Sequence, residues 1–474
     1  MHVGLRKGFS NFSSNSNMMN SWNQKNLLQQ TYSSNHVHEV LIIPHDDIYA
    51  GGWSVAFNIG EASIGLDYEV RKATEKEYEV ALDFLALAFS KSREYFIEYE
   101  SLPWFRYNRE KWIGLLGGKI ISNVDLFTRE IFIGKSPILV GDIGHVATHP
   151  SYRNLGYGSE LIKNVLREMD RKCYNISFLF GGDNVYHFYD KMGWVAFPEK
   201  IVNVEIRRET ELTNPNLEME KLEGGKDFND VIELYNKYDR QITGSTVRTH
   251  EYWLRYRDWM IKEPNFILLW REKGDPVACS LCEGGSTGLR ILWICYDRKN
   301  DQILSSILKG IINYAIKNKY RYINVGFLPL DHPILKILKM MPVETVCRNN
   351  NNMMVRLINV KSLFEKILPE LEERLNRSNL KGLKRSITIE CEIGNVTITI
   401  YDNEVKVEGR REDAVHIPLD KKSLVKLILG HTTFEKIDQY IEISRKIGLT
   451  DKDIKLMSAL FPKQYPIHWN YGHY

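Results

Sequence analysis

The sequence predicts an α/β and α+β protein of three folded units: two α/β units of one element order, each a mixed sheet flanked by helices, then a smaller α+β unit. Three observations carry this. The chain has 474 residues, and at roughly 100–200 residues per domain that is about three domains rather than one core. From Tyr68 onward, strand-like and helix-like apolar periods alternate in an order that occurs twice. Beyond a linking helix the pattern changes to short alternating strands followed by helices. Hydrophobic residues make up 43% and charged residues 26% of the chain, a balance that can bury a core.

Residues 1–65 stand apart. The stretch NFSSNSNMMNSWNQKN and its surroundings are rich in Ser, Asn, Gln and Gly, so burial there cannot offset the entropy of ordering. A mostly disordered extension is expected, with one strand around residues 38–43, and His36 and His38 read as solvated. The first unit covers residues 66–205. YEVRK alternates as a strand, and Thr74 is a helix N-cap with Glu77 three residues on, ahead of Val80, Leu82, Phe84, Leu85 and Ala88. KWIGLLGGKIISNVDLF gives two strands about Gly117-Gly118, and ILVGDIGHVATHP a long strand closed by Pro150. A helix from Gly156 to Arg171, a buried strand NISFLFGG and a short helix ended by Gly193 complete the unit.

The second unit, residues 206–360, repeats this order through LEMEKL, DFNDVIELYNKY, the hairpin FILLWREKGDPVACSLCE, RILWICYD, QILSSILKGIINYAIKNK, YINVGFL and HPILKILKM. The third, residues 361–474, opens with a linking helix. Three strands follow in SITIECEIGNVTITIYDNEVKVEG, with turns at Gly394-Asn395 and Asp402-Asn403, and then helices behind Asp or Thr N-caps.

The charge balance excludes some partners. With 63 basic and 60 acidic residues and a net charge of +3, no global field recruits nucleic acid or a membrane. The sequence shows neither an apolar run of eighteen residues nor a leader pattern at its start, so neither a span nor a secretory signal is expected, and the cytoplasm is. Cys173, Cys279, Cys282, Cys295, Cys347 and Cys391 are too sparse for a disulfide framework. Cys279 and Cys282 have metal or redox spacing, but strand positions three apart face opposite ways and no second pair completes a tetrahedron. Packed, reduced thiols and no metal are expected.

The chemistry concentrates in Arg153-Asn154-Leu155-Gly156-Tyr157-Gly158, an R-x-x-G-x-G run between a strand and a helix. First-turn N–H groups of a helix lack partners and carry partial positive charge, so such a junction binds anions. Gly156 and Gly158 let a diphosphate approach the backbone, and Arg153 offers a charge-assisted contact. The run is neither G-x-G-x-x-G nor G-x-x-x-x-G-K-[ST], which disfavours a nicotinamide or ATP site. The second unit has YDRKNDQILSS at the same junction, without glycine.

With the later FYDKMGW, this arrangement resembles the GCN5-related N-acetyltransferase (GNAT) family. The whole layout is similar to the branch around the mycobacterial "enhanced intracellular survival" acetyltransferases, which have an active GNAT fold, a second copy without a cofactor loop, and a sterol-carrier-like C-terminal domain. LDKKSLVKLILGH and LFPKQYPIHW extend that likeness to local patterns. The resemblance implies acetyl-CoA as co-substrate, held by Val146, Ala147 and Thr148 of the strand, by Arg153 through Ser159 of the loop, and by Asn184 and Val185. It implies a primary amine acceptor of aminoglycoside, polyamine or lysine type, and a homo-oligomer, a hexamer. Tyr189, four residues before Gly193, falls where the family places its general acid. Of acidic residues near the loop, Asp142 lies in a strand and Glu160 reads as solvated, so the resemblance gives the base role to the carboxylate of Tyr474. The competing function is a binding protein in which the last domain carries a lipid or other apolar ligand and the transferase unit is vestigial.

Overall fold

Gly117 and Gly118 both take positive φ, 54° and 74°, the backbone that joins two antiparallel strands by a two-residue turn with matching twist. They join β2 (Arg109–Leu116) to β3 (Lys119–Ile133) in the computed structural model, which describes residues 67–466 except 107, 208–211, 213–216, 224, 241, 381 and 402–403. The expected extension before residue 66 lies outside the described residues. Ahead of this hairpin come β1 (Tyr68–Lys72), α1 (Glu75–Phe89), α2 (Arg93–Glu100) and α3 (Pro103–Arg106). Thr74 and Glu77 form the capping box of α1. Behind it come β4 (Ser136–Thr148), α4 (Tyr157–Arg171), β5 (Ile176–Phe180), α5 (Tyr186–Lys191), β6 (Val195–Ala196) and β7 (Glu199–Glu205). In α4 the buried Leu161, Ile162, Val165 and Met169 make one apolar face. It packs on Val124, Leu126 and Ile143 of the sheet.

The second unit follows as β8 (Glu218–Lys221), α6 (Phe228–Leu234), α7 (His250–Ile261), β9 (Asn265–Glu272), β10 (Asp275–Gly284), β11 (Gly288–Tyr296), α8 (Asp301–Lys317), β12 (Tyr322–Pro329), α9 (Pro333–Met340), β13 (Glu344–Asn350) and β14 (Met353–Leu357). Cys279 and Cys282 are fully buried free thiols in β10. The third unit has α10 (Val360–Arg377), β15 (Arg385–Cys391), β16 (Gly394–Tyr401), β17 (Glu404–Glu408), β18 (Val415–Pro418), α11 (Lys421–Ile428), α12 (Tyr440–Ile447) and α13 (Asp451–Leu460). Cys391 pairs with Gly394, so the first turn falls at Glu392-Ile393, before the Gly394-Asn395 that the sequence suggests. A fourth strand, β18, pairs in parallel with β15. Its Val-His-Ile-Pro is too short to show a period.

The division expected at residue 205 does not separate the sheets. Among the described residues the first sheet runs β1-β2-β3-β4-β5-β14-β6 and the second β13-β7-β12-β11-β10-β9-β8. Strand β7 of the first unit thus lies in the second sheet, and β14 of the second unit lies in the first. Alternation reports that a segment is a strand and which side is apolar, but not which neighbour it pairs with. One face of the first sheet, with Ile131, Val140, Ile176 and Phe178, meets Leu363, Phe364 and Ile367 of α10 in a core shared with the third unit. At the β3–β4 turn, Glu370 accepts from Lys135 N at 2.9 Å, and Arg374, 2.7 Å from Glu370, donates to Leu460 O.

The exchanged strand carries a buried acid at its start. Glu199 is 4% exposed, accepts from Asn350 Nδ2 at 3.4 Å, and burial pushes its carboxyl up from 4.5 to about 8. The folded protein keeps this proton where the unfolded chain has lost it, so stability falls as pH rises from about 4.5 to about 8. Glu199→Gln, the neutral isostere, is expected to raise the melting temperature at pH 8 and leave it nearly unchanged at pH 5, by calorimetric scan. An equal shift at both pH values contradicts a buried neutral carboxyl.

Candidate active site

Strands β4 and β5 pair in parallel only from Val140 to Asp142 against Ile176 to Phe178. Beyond Asp142 they diverge, while β4 continues along β3, with Ala147 opposite Asn123 and Thr148 opposite Ser122. Val146, Ala147 and Thr148 therefore lie on one wall of a V-shaped opening, and a backbone edge there is available to an extended ligand. Between the pairs Asp125–Gly144 and Asn123–Ala147 the register shifts, so His145 and Val146 together face Val124. This is a β-bulge, which re-aims side chains.

The chain then turns through the glycine loop into α4. Asn154 and Gly156 take φ of 67° and 85°. Gly156 is the N-cap and offers no side-chain hydrogen bond, so the first-turn N–H groups of Tyr157, Gly158 and Ser159 stay unclosed by a cap. A Cβ on Gly158 would lie 2.7 Å from Thr148 Oγ1, which brings the loop backbone against the strand wall. Asn154 Oδ1 is a buried acceptor without a donor among the described residues. Glu160, in the first turn, is drawn along the helix to Asn164 and Arg167 at 3.0 and 3.2 Å. A strand edge, a glycine-permitted close approach and a bare helix end suit an extended amide arm with a diphosphate, which is the chemistry of coenzyme A.

Arg153 is engaged otherwise than its charge suggests. Its Nε donates to Thr148 O at 3.2 Å and its Nη2 to Ala88 O at 2.7 Å, so it ties the loop to the strand and to the end of α1. Burial pushes its guanidinium below the ordinary value. Leu155 is exposed at 41%. On the opposite wall, Asn184 is exposed and Val185 fully buried in the core under α4. Tyr189 is 4% exposed, edge-on to Trp194 at 5.9 Å. Its ring would lie 3.3 Å from a Cβ on Gly181, the residue after β5. The structure thus brings Tyr189 to the end of β5, beside the opening. Tyr474 lies outside the described residues.

The second unit differs at the matching junction. Asn300 caps α8, accepting from Gln302 N and Ile303 N at 3.1 Å each, and Asp301 adds negative charge in the first turn. That helix end is closed to an anion.

A cluster that the sequence reading missed lies on the α1–α2 side. Lys111, Asp125 and His145 are buried within apolar strands at 0%, 0% and 4% exposure. Charged residues at inward positions of apolar strands were the available signal. Lys111 Nζ is 2.9 Å from Asp125 and 3.5 Å from Glu100, Arg109 is 2.8 Å from Glu100 and 3.5 Å from Asp125, and His145 Nδ1 is 2.9 Å from Asp125. Burial alone would raise the Asp125 carboxyl, but the Lys111 ammonium, His145 and Arg109 hold it well below the usual carboxylate range. Glu100, Asp125 and His145 offer ligand atoms within 4.8 Å of one another, a metal-type set. Two cations already neutralise its two carboxylates, and the Lys111 ammonium bridges them where an ion would sit.

Residues 69–197 match the acetyltransferase (GNAT) domain family, and this part of the chain is such a domain. An uncharacterised ycf52-like N-acetyltransferase of Prochlorococcus marinus is 36% identical over 62 residues, 13% of this chain and 34% of the relative. The chain thus spans about a third of the length of the curated relative it matches. Among solved structures, a conserved protein of Enterococcus faecalis V583 aligns with a TM-score of 0.64 and 18% identity over 84% of this chain and 97% of that one. A GCN5-related N-acetyltransferase of Anabaena variabilis aligns at 0.62 and 16% over 84% and 98%. Eis1 of Mycobacterium abscessus aligns at 0.55 and 15%, also over 84% and 98%. These likenesses concern the fold and extend it across all three units.

Proposed function

We propose that the protein is an acetyl-CoA-dependent N-acetyltransferase that acetylates a primary amine of a small molecule or peptide, of aminoglycoside, polyamine or lysine type, using the first unit alone. The observation that carries this is the contrast between two matching helix ends: bare behind Gly156, and closed by Asn300 in the second unit. Val146, Ala147 and Thr148 would hold the pantetheine arm, with Asn154 and the amides of residues 156–159 at the diphosphate. Arg153 shapes that cradle. A backbone N–H of the strand wall polarises the thioester carbonyl, the amine nitrogen bonds to its carbon and loses a proton to a base, the role the family resemblance gives to the Tyr474 carboxylate, the C–S bond breaks, and Tyr189 gives its proton to the thiolate. The second and third units serve as scaffold and pocket walls of a cytoplasmic homohexamer, and the third is sterol-carrier-like in this reading. Among the described residues no helix is long and apolar enough to cross a membrane.

Acetyl-CoA titration by calorimetry is the test: one molecule should bind per chain. Two per chain contradict a closed second site, and no binding returns the protein to the vestigial, ligand-carrying alternative.

A further inference from the structure

We propose that His145, held by Asp125, is the base that takes the proton from the acceptor amine, in place of the Tyr474 carboxylate that the family resemblance implies. This rests on the acetyltransferase reading above and deepens it. The first observation is the backbone. His145 has φ of 46°, a region that glycine enters freely and a histidine enters only when its surroundings over-determine it. Here Asn123 Nδ2 donates to His145 O at 3.0 Å, and Asp125 holds the ring. The chain keeps an imidazole where glycine would cost less, and such outliers gather at functional sites.

Position is the second. His145 lies three residues beyond Asp142, the last residue of β4 paired with β5, so it stands in the mouth of the V immediately before the Val146–Thr148 wall. Its ring faces Phe105 at 5.3 Å, Phe96 and Tyr99 at 5.6 Å, and Phe89 at 6.4 Å. These rings come from α1, α2 and α3, and α1 packs on β3 and β4. They form a dry lining against which a proton transfer competes little with water.

Chemistry is the third. The ionised Asp125 accepts from Nδ1–H, which fixes the tautomer with a lone pair on Nε2. Among the described residues no hydrogen bond reaches Nε2. Asn123 Oδ1, fully buried on the same bulge, is an acceptor without a donor among them, and an amine N–H would satisfy it. Among the described residues, the charged and titratable groups around the imidazole are Asp125 of β3, Arg109 and Lys111 of β2, and Glu100 and Tyr99 of α2. The two carboxylates and two cations among them balance, and Asp125, bonded to Nδ1, is the charge nearest to a proton arriving on the ring. In the step, the N–C bond forms, the proton leaving nitrogen goes to Nε2, the C–S bond breaks, and the thiolate takes the Tyr189 proton. Solvent then carries one proton from His145 back to Tyr189.

The test uses the full chain, a thiol-release assay with spermidine, kanamycin and Nα-acetyl-lysine methylamide in parallel, and calorimetry with acetyl-CoA. His145→Asn suits a positive φ and keeps an amide N–H for Asp125. Its kcat is expected to fall about 100-fold or more, with acetyl-CoA affinity and acceptor KM within about twofold. His145→Gly should fall likewise and regain rate with added imidazole but not with an isosteric apolar ring such as toluene, which would refill the space equally and restore a purely structural histidine. A His145→Asn variant with wild-type kcat, or a His145→Gly variant that imidazole leaves unchanged, overturns the base role alone. Loss of acetyl-CoA affinity in both variants assigns His145 to the fold and overturns it too. A wild type that binds no acetyl-CoA, or releases no thiol with any of the three amines, overturns the acetyltransferase reading and this inference together.

Discussion

Gly158→Val is expected to weaken acetyl-CoA binding by at least about 100-fold, read as lost heat on titration. The residue is the second of α4, inside the turn whose N–H groups have no side-chain cap. A Cβ there meets Thr148 Oγ1 at 2.7 Å, and the two methyls of valine extend into the space that a diphosphate would use. The substituted loop must swing off the strand wall, which removes the close backbone approach that makes the helix end an anion site. A factor of 100 corresponds to about 2.7 kcal/mol, the loss of one or two hydrogen bonds to a charged group. Gly156→Val should act through conformation instead, since φ of 85° is strained for any branched residue. Wild-type affinity in both variants would remove the glycine loop from the site. Asn300→Gly, at the matching helix of the second unit, serves as the control and should leave the stoichiometry at one.

The second large effect is expected from Tyr189→Phe, with kcat down by about 10²–10⁴-fold and acetyl-CoA affinity nearly unchanged. The change removes one oxygen and keeps the ring, which packs on Trp194 and Gly181, so the fold and the wall of the V are retained. The hydroxyl acts on the departing thiolate, after the cofactor is bound, which is why turnover and affinity should separate. If Phe turns over like Tyr, the residue belongs to packing alone.

Much of this fold was legible because its signals are local. The strand of Tyr68 to Lys72, the Thr74 box, the Gly117-Gly118 turn, the amphipathic α4 and the duplicated order each follow from period, cap or turn chemistry within a dozen residues. The glycine junction was legible for the same reason, and so was its absence from the second unit. What depended on non-local pairing was not: neither the partners of β7 and β14 nor the fourth strand of the third sheet can be read from a short alternating run. The site divides in the same way. Arg153 was expected at a phosphate by its charge, whereas its donors reach the carbonyls of Thr148 and Ala88, one of them 65 residues away. Val185 fits the motif but lies in the core. Lys111, Asp125 and His145 sit on three different strands: Lys111 and Asp125 are direct partners across β2 and β3, and the β-bulge brings His145 to them.

The exchange of β7 and β14 has a consequence for how the chain comes off the ribosome. The first sheet cannot close when its own unit has been translated, because the strand that separates β5 from β6 is made roughly 160 residues after β6. At about 5–20 residues per second that is a wait of about 8–30 s. Throughout it, the apolar Ile176–Phe180 edge stands open beside an incomplete core, the kind of exposed edge that recruits foreign strands. The last strand of the first sheet therefore arrives with the second α/β unit, and a nascent chain stalled between the two leaves the β5 edge unpaired.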